Sequence, residues 1–375
     1  MKRFLLVDIA PPRSTAIDCD DRIYELTELV STYGAAQVVK IVQKRAHTDK
    51  STFVGAGKVV EIGELCKKEK IDVVVLNELV NPTIIHNLWK KLWEFRSDIA
   101  VWDRVDLILS IFNKHAKTAE AKLQIEIAQM RHMGPRIYGM GHILSRQGGG
   151  VGTRGIGETN TELMKRHWRD AISATRQKLV KLKNVRQTQI DHRQDMGLKT
   201  VAIVGYTNAG KSSLFNALTK KQNLAKDALF ATLDSTVAKC RLPKSGQTVL
   251  LSDTIGFIKD LPPSLIEAFK STLMASLSAE HIIHLVDISD LKFEEKITVV
   301  KEILAELDCT TPATMVFNKI DKATQLTSTK LQKIKKEFNP IFISAKTGEG
   351  ITELLNGIET RFKQKEQVAT GKGSH

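Results

Sequence analysis

Short apolar, β-branched runs separated by stretches of helical periodicity open this chain. Runs at 4–9, 36–42, 72–76 and 99–101 alternate with helix-like patterns at 22–33, 57–70 and 82–95. In the last of these, Asn81 is placed as an N-cap and Pro82 as the first helical residue, where a missing N–H does no harm. Such alternation predicts a small α/β domain with a mainly parallel sheet. From about 106 the apolar positions change to helical spacing without strands. Leu123, Ile127 and Met130 share one face, and Gly134-Pro135 is expected to end or bend that run. A second helical stretch is expected at 161–195, and the pair reads as an αα-hairpin projecting from the body. Strands are expected again at 200–204, 248–253, 281–287, 313–318 and 340–344, with helices between them. The fold class is therefore α/β. It comprises an N-terminal parallel-sheet domain over 1–105, a basic helical hairpin over 106–198, a doubly wound α/β domain over 199–363, and a polar, disordered tail over 364–375.

Composition narrows the class. Of 375 residues, 42% are hydrophobic and 26% charged, as in ordinary globular proteins. The apolar runs are too short to span a bilayer. Asp8 interrupts the first of them and no small-residue cleavage site follows, so the N-terminus reads as a strand rather than a signal peptide. Cys19, Cys66, Cys240 and Cys309 are scattered without metal-ligand spacing, which fits reduced, packed thiols in a cytosolic protein. The net charge of +14 favours a polyanionic partner such as nucleic acid or ribosome, although a basic surface alone has the same balance. The stretch 161–195 holds nine Lys/Arg against four acids; a solvated helix face is the commoner meaning of such a row.

Between the two helical stretches lies a loop with glycines at 148, 149, 150, 152, 155 and 157. Gly150, Gly152 and Gly155 match GxGxxG, but no strand precedes them, so a dinucleotide site is not expected there. Close backbone approach to a partner is the better use, with Arg146 and Arg154 available for phosphates beside Gly155 and Gly157. Gly55-Ala56-Gly57-Lys58 also opens a helix, yet forms no phosphate-loop motif and reads as ordinary helix initiation.

The specific chemistry starts at Gly205. A strand runs into Gly205-Tyr206-Thr207-Asn208-Ala209-Gly210-Lys211-Ser212-Ser213, which fits GxxxxGK followed by Ser or Thr, with a helix after it. Glycines let backbone N–H groups curl round phosphates at the positive end of that helix. Lys211 would reach the β- and γ-phosphates, and the Ser212 hydroxyl would bind Mg²⁺. Asp253-Thr254-Ile255-Gly256 then supplies a carboxylate near the metal and a glycine N–H for the γ-phosphate. Asn318-Lys319-Ile320-Asp321 ends a later strand. Asp321 can accept two hydrogen bonds from the guanine N1–H and N2–H₂ edge, a pairing adenine cannot make. Ser344-Ala345-Lys346 follows the last strand and would place a backbone N–H at guanine O6. In this order, and anchored on strands, these elements point to a guanine nucleotide and to Mg²⁺-dependent GTP hydrolysis.

These segments, together with Phe230-Ala231-Thr232-Leu233-Asp234-Ser235-Thr236, resemble the five G motifs of a translation-factor-class GTPase. The glycine-rich loop after a basic helical segment resembles the HflX family of ribosome-associated GTPases, and the likeness covers nearly the whole chain. The resemblance implies a monomeric GTPase, cytoplasmic or peripheral to the membrane, that binds the large ribosomal subunit. It also implies rescue or splitting of stalled ribosomes under stress such as heat, with the glycine loop reaching toward ribosomal RNA. It assigns residues 230–234 to switch I, with Thr232 as a second Mg²⁺ ligand, and Lys211, Thr232 and Gly256 to catalysis. Two departures stand out: Ser235 replaces a usual proline, and contacts of the further C-terminal domain found in many relatives are not carried over.

Phe257 follows Gly256 where some GTPases carry a water-orienting Gln. An aromatic ring cannot orient a proton, so slow intrinsic turnover and acceleration by a partner are expected. Asn208 resembles the residue with which certain GTPases hold K⁺. A second class of function stays open, an RNA-binding or RNA-remodelling module with nucleotide as an affinity switch. An ATPase is disfavoured by Asp321.

Overall fold

A computed structural model describes residues 2–147, 160–195, 197–219, 236–254, 256–259, 265–266, 279–323 and 327–371. They fall into two compact units, Met1–Leu182 with Pro262–Ala268, and Lys183–Leu261 with Phe269–His375.

The first unit is built on a parallel sheet ordered β2 (Gln37–Lys44), β1 (Arg3–Ala10), β3 (Val73–Leu76), β4 (Ala100–Trp102). β1 and β3 are buried along nearly their whole length, which is why they read as continuous apolar runs rather than alternating ones. Leu5, Val7 and Ile9 join the core beneath α2 (Ala56–Lys68) and α3 (Pro82–Trp93), while Phe4 meets Tyr33 of α1 (Ala16–Tyr33) and Trp102 edge-on. Edge strand β2 exposes Lys40 and Lys44, charges that discourage pairing with another chain. α1 starts at Ala16 rather than 22, because Thr15 and Asp18 form a reciprocal capping box ahead of the apolar stripe.

α4 (Arg104–His115) opens on a second capping box, Asp103 with Asp106. The following α5 (Ala119–Gln147) runs on through Gly134-Pro135, so of the two expectations, an end or a bend, the end does not occur. The residues on either side of Pro135 explain its persistence. Arg136 donates to Asp106 at 2.6 Å and to Asp103 at 2.7 Å, and His132 lies 3.1 Å from Asp103 and 3.3 Å from Asp106. Fastening both flanks to α4 offsets the loss of one helical hydrogen bond. Burial opposes charge on His132, but the two carboxylates outweigh it and push the imidazole up to about 9. α6 (Asn160–Asp195) meets α5 where the Trp168 indole N–H donates to the Met130 carbonyl. The loop carrying Arg154, Gly155 and Gly157, and the side chain of Arg146, lie outside the described residues.

The second unit holds a six-stranded sheet ordered β10 (Ile341–Phe342), β9 (Ala313–Asn318), β8 (His281–Asp287), β5 (Thr200–Gly205), β7 (Thr248–Asp253), β6 (Thr236–Arg241). All neighbours are parallel except β6, which pairs antiparallel with β7 and was not foreseen. Among the described residues its helices include α7 (Lys211–Thr219), α8 (Phe293–Glu306), α9 (Ser328–Phe338) and α10 (Ile351–Gly371). α10 corrects the expected tail from 364: the stretch is helical as far as Gly371. Glu359 and Lys363 pair at helical spacing, and no Gly or Pro interrupts 358–370. β5 lies between β8 and β7, so strand order reverses beside its carboxyl end, the place where open parallel sheets bind ligands. Among the described residues, no helix is long and apolar enough to cross a membrane.

Candidate nucleotide-binding site

The loop from Gly205 to Lys211 leaves the carboxyl end of β5 and enters α7. Two of its glycines are dictated by close approach. A Cβ at Gly205 would sit 2.3 Å from the Leu285 carbonyl oxygen. At Gly210 (φ +94°) it would sit 2.3 Å from Asn318 Nδ2. Asn208 also takes a left-handed conformation (φ 61°), which Asn tolerates better than most residues. Lys211 curls back over the loop and donates to the Tyr206 carbonyl at 2.7 Å. Burial pulls its amine down to about 8, opposed by the Asp253 carboxylate and reinforced by Lys319. An ammonium held dry at a helix N-terminus is a strong attractor for polyphosphate.

The Ser212 hydroxyl donates to Asp253 Oδ2 at 2.9 Å, joining the first turn of α7 to the end of β7. Two hard oxygen donors one hydrogen bond apart fit Mg²⁺. Thr254 Oγ1 donates to the Ile203 carbonyl and turns the chain toward Gly256, which lies against Lys211 and Thr207. Phe257 N–H then donates to the Gly205 carbonyl (3.1 Å), and Thr207 N–H to the Phe257 carbonyl (2.7 Å). Tyr206 extends this zipper: its hydroxyl accepts from Lys259 N–H at 2.8 Å, with Lys296 Nζ 4.8 Å from its ring. Phe257 is thereby buried, 1% exposed.

At the end of β9, Asn318 faces two ways. Its Nδ2 donates to the Ala209 carbonyl at 2.8 Å, and its Oδ1 accepts from Ala345 N–H at 2.9 Å. The Ala345 amide therefore secures the asparagine. Lys319, in a left-handed conformation, pairs with Asp287 at the end of β8 (2.7 Å). Asp321 sits exposed in a 3₁₀ turn (Ile320–Lys322). The Ser344 hydroxyl donates to it at 2.7 Å and holds its carboxyl below the usual range.

The structure thus gathers Gly205–Ser212, Asp253, Thr254, Gly256, Asn318, Asp321 and Ser344–Ala345 at the carboxyl edge of one sheet. Ser213 is the third residue of α7, and Lys346 follows Ala345 on the same turn. Phe230, Ala231, Thr232, Leu233, Asp234 and Ile255 lie outside the described residues. Sequence reasoning missed Asp287, Lys259 and Lys296, which act through partners distant along the chain.

This arrangement defines a P-loop GTPase of doubly wound α/β architecture. Residues 200–319 match the family model described as "50S ribosome-binding GTPase", residues 20–113 that of "GTP-binding GTPase N-terminal", and 115–193 that of "GTP-binding GTPase Middle Region". GTPase HflX of Caldanaerobacter subterraneus subsp. tengcongensis is 42% identical over 93% of this chain and 79% of its own length. GTPase HflX of Escherichia coli (strain K12) is 38% identical over 92% and 80%. The chain belongs to the HflX family of GTPases, enzymes that bind and hydrolyse GTP. The fold is also that of a solved structure described as SsGBP in complex with GDP, at TM-score 0.55 and 23% identity over 97% of this chain and 99% of that one.

Proposed function

We propose that this GTPase is a partner-gated switch of the large ribosomal subunit. Phe257 carries the reading: it occupies the position after Gly256, is buried, and is zipped to the phosphate loop, so its ring cannot orient an attacking water. Turnover is then slow until a partner supplies or orders the missing group. The description "50S ribosome-binding GTPase" of the matched model and the net charge of +14 support a ribosomal partner.

In this reading Gly205–Ser213 cradle the phosphates, Lys211 meets the β- and γ-oxygens, and the Gly256 N–H meets the γ-phosphate. Asn318 and Asp321 select guanine, with Ser344 orienting Asp321. Ser212, with Thr232 and indirectly Asp253, holds Mg²⁺; bound there, the ion neutralises phosphate charge. Asn208 is the candidate K⁺ contact, and equal hydrolysis rates in Na⁺ and K⁺ would remove it. The segments 1–105, 106–198 and 199–363 serve as contact domain, RNA-reaching hairpin and switch. Arg146, Arg154, Gly155 and Gly157 are the proposed RNA contacts. Splitting or rescue of stalled ribosomes under heat stress, by a monomer in the cytoplasm, completes the proposal.

Co-sedimentation with separated subunits tests it. Retention on the large subunit is expected with a non-hydrolysable GTP analogue and release with GDP; equal binding in both, or none, ends the switch reading.

A further inference from the structure

The surface of α3 carries a second feature, away from any G motif. Ile85, Leu88 and Leu92 face the core, half-buried Trp89 packs against its margin, and the stripe beside them carries half-buried His86 and exposed Trp93. The rings form a ladder: His86 and Trp89 lie 5.9 Å apart between centroids, Trp89 and Trp93 4.7 Å apart with 32° between planes. It ends on a half-exposed indole, Trp93 at 48%. Trp89 is thus anchored by the core, and Trp93 extends the ladder into solvent, an exposure that core packing does not call for.

The exposed charges along the ladder are Lys90 and Lys91, with Glu94 following Trp93. Lys90 shares the stripe at helical spacing between His86 and Trp93, and both Lys90 and Lys91 are exposed. Asn87 Nδ2 donates to the Ser51 carbonyl (3.2 Å) and hydroxyl (3.4 Å). That bond ties to the helix a loop whose preceding residues include Arg45, His47 and Lys50. Flat π-faces interleaved with lysines match the two components of a single-stranded nucleic acid, bases that stack and phosphates that attract.

We infer that the His86–Trp89–Trp93 face of α3 is a stacking platform for unpaired RNA bases, with Lys90 and Lys91 holding the adjoining phosphates. The platform rests on the ribosomal reading only for where such RNA is met; its chemistry is independent of the nucleotide site.

The test uses the full chain and a short, labelled, single-stranded, adenine-rich RNA, read by anisotropy and by tryptophan fluorescence. RNA should quench the fluorescence. Trp93→Ala should weaken binding about tenfold, whereas Trp93→Phe should stay close to the parent. Lys90→Gln should lower the salt dependence by about one counterion. Thermal unfolding of the first unit, unmoved in all three, confirms that each variant folds. Unchanged affinity and quenching in Trp93→Ala would overturn the platform, even if the large subunit still retains the protein. Loss of subunit binding by Trp93→Ala without loss of RNA binding would overturn it in favour of a protein partner. Trp93-dependent RNA binding without any subunit binding would uphold the platform and sink the ribosomal switch.

Discussion

Both units place polar side chains at the carboxyl ends of parallel strands, and they use them in opposite ways. In the first unit these groups neutralise one another. Asp8 at the end of β1 pairs with Arg22; Arg104 bonds Asn77 and Glu25; Asp103 and Asp106 hold His132 and Arg136. In the second unit the same edge carries a glycine loop of backbone amides, a buried Lys211 and an exposed Asp321, with the other polar groups bracing them. A doubly wound edge is thus a location, and the groups left to face outward make it a site.

Separating the two edges by substitution sharpens that contrast. Lys211→Ala should reduce GTP hydrolysis on the order of a thousandfold, since charge stabilisation is lost where water is excluded, and should leave the thermal unfolding of the first unit unmoved. Arg136→Met should do the reverse. Removing one member of a buried ionic cluster costs about 3 kcal/mol, visible as lower denaturant resistance with single-turnover hydrolysis within about twofold of the parent. If hydrolysis collapses as well, the two edges do not act independently.

Asp321→Asn should weaken GTP binding about a hundredfold and transfer preference to xanthine nucleotides; equal loss for both bases would contradict the recognition assigned to this carboxylate. The smallest effect is a pH dependence. The folded pKa of His132 is raised from 6.5 to about 9, so its stabilisation is fully present below pH 6.5 and is lost as pH rises through 9. About 2 kcal/mol should disappear between pH 7 and 9.5. His132→Gln should flatten that slope, as followed by urea melts.

Much of this was legible in the sequence. The strands round the phosphate loop are buried, so their apolar runs stand out, and Gly, Lys and Asp at fixed spacing carry their chemistry locally. What escaped was held by distant partners. β6 is an edge strand with only Ala238 and Cys240 fully turned inward, a weak alternation beside the switch I motif. The course of α5 through Pro135 depends on Asp103 and Asp106, some thirty residues earlier. The capping box at Thr15 was readable, but the exposed Ile17 that follows it breaks the amphipathic pattern. The zipper of Tyr206, Phe257 and Lys259 follows from topology, and spacing gives no hint of it.

Asn318 has an implication for how such a site can change over generations. One amide group spans the Ala209 carbonyl and the Ala345 N–H, so in the proposed reading base preference and phosphate grip share a single fastening. Mutations that retune one will be epistatic with those that retune the other, and a double-mutant cycle between Asn318 and Gly210 should be strongly non-additive. A lineage exploring new nucleotides would have to alter both ends together, which makes this asparagine a ratchet against drift in specificity.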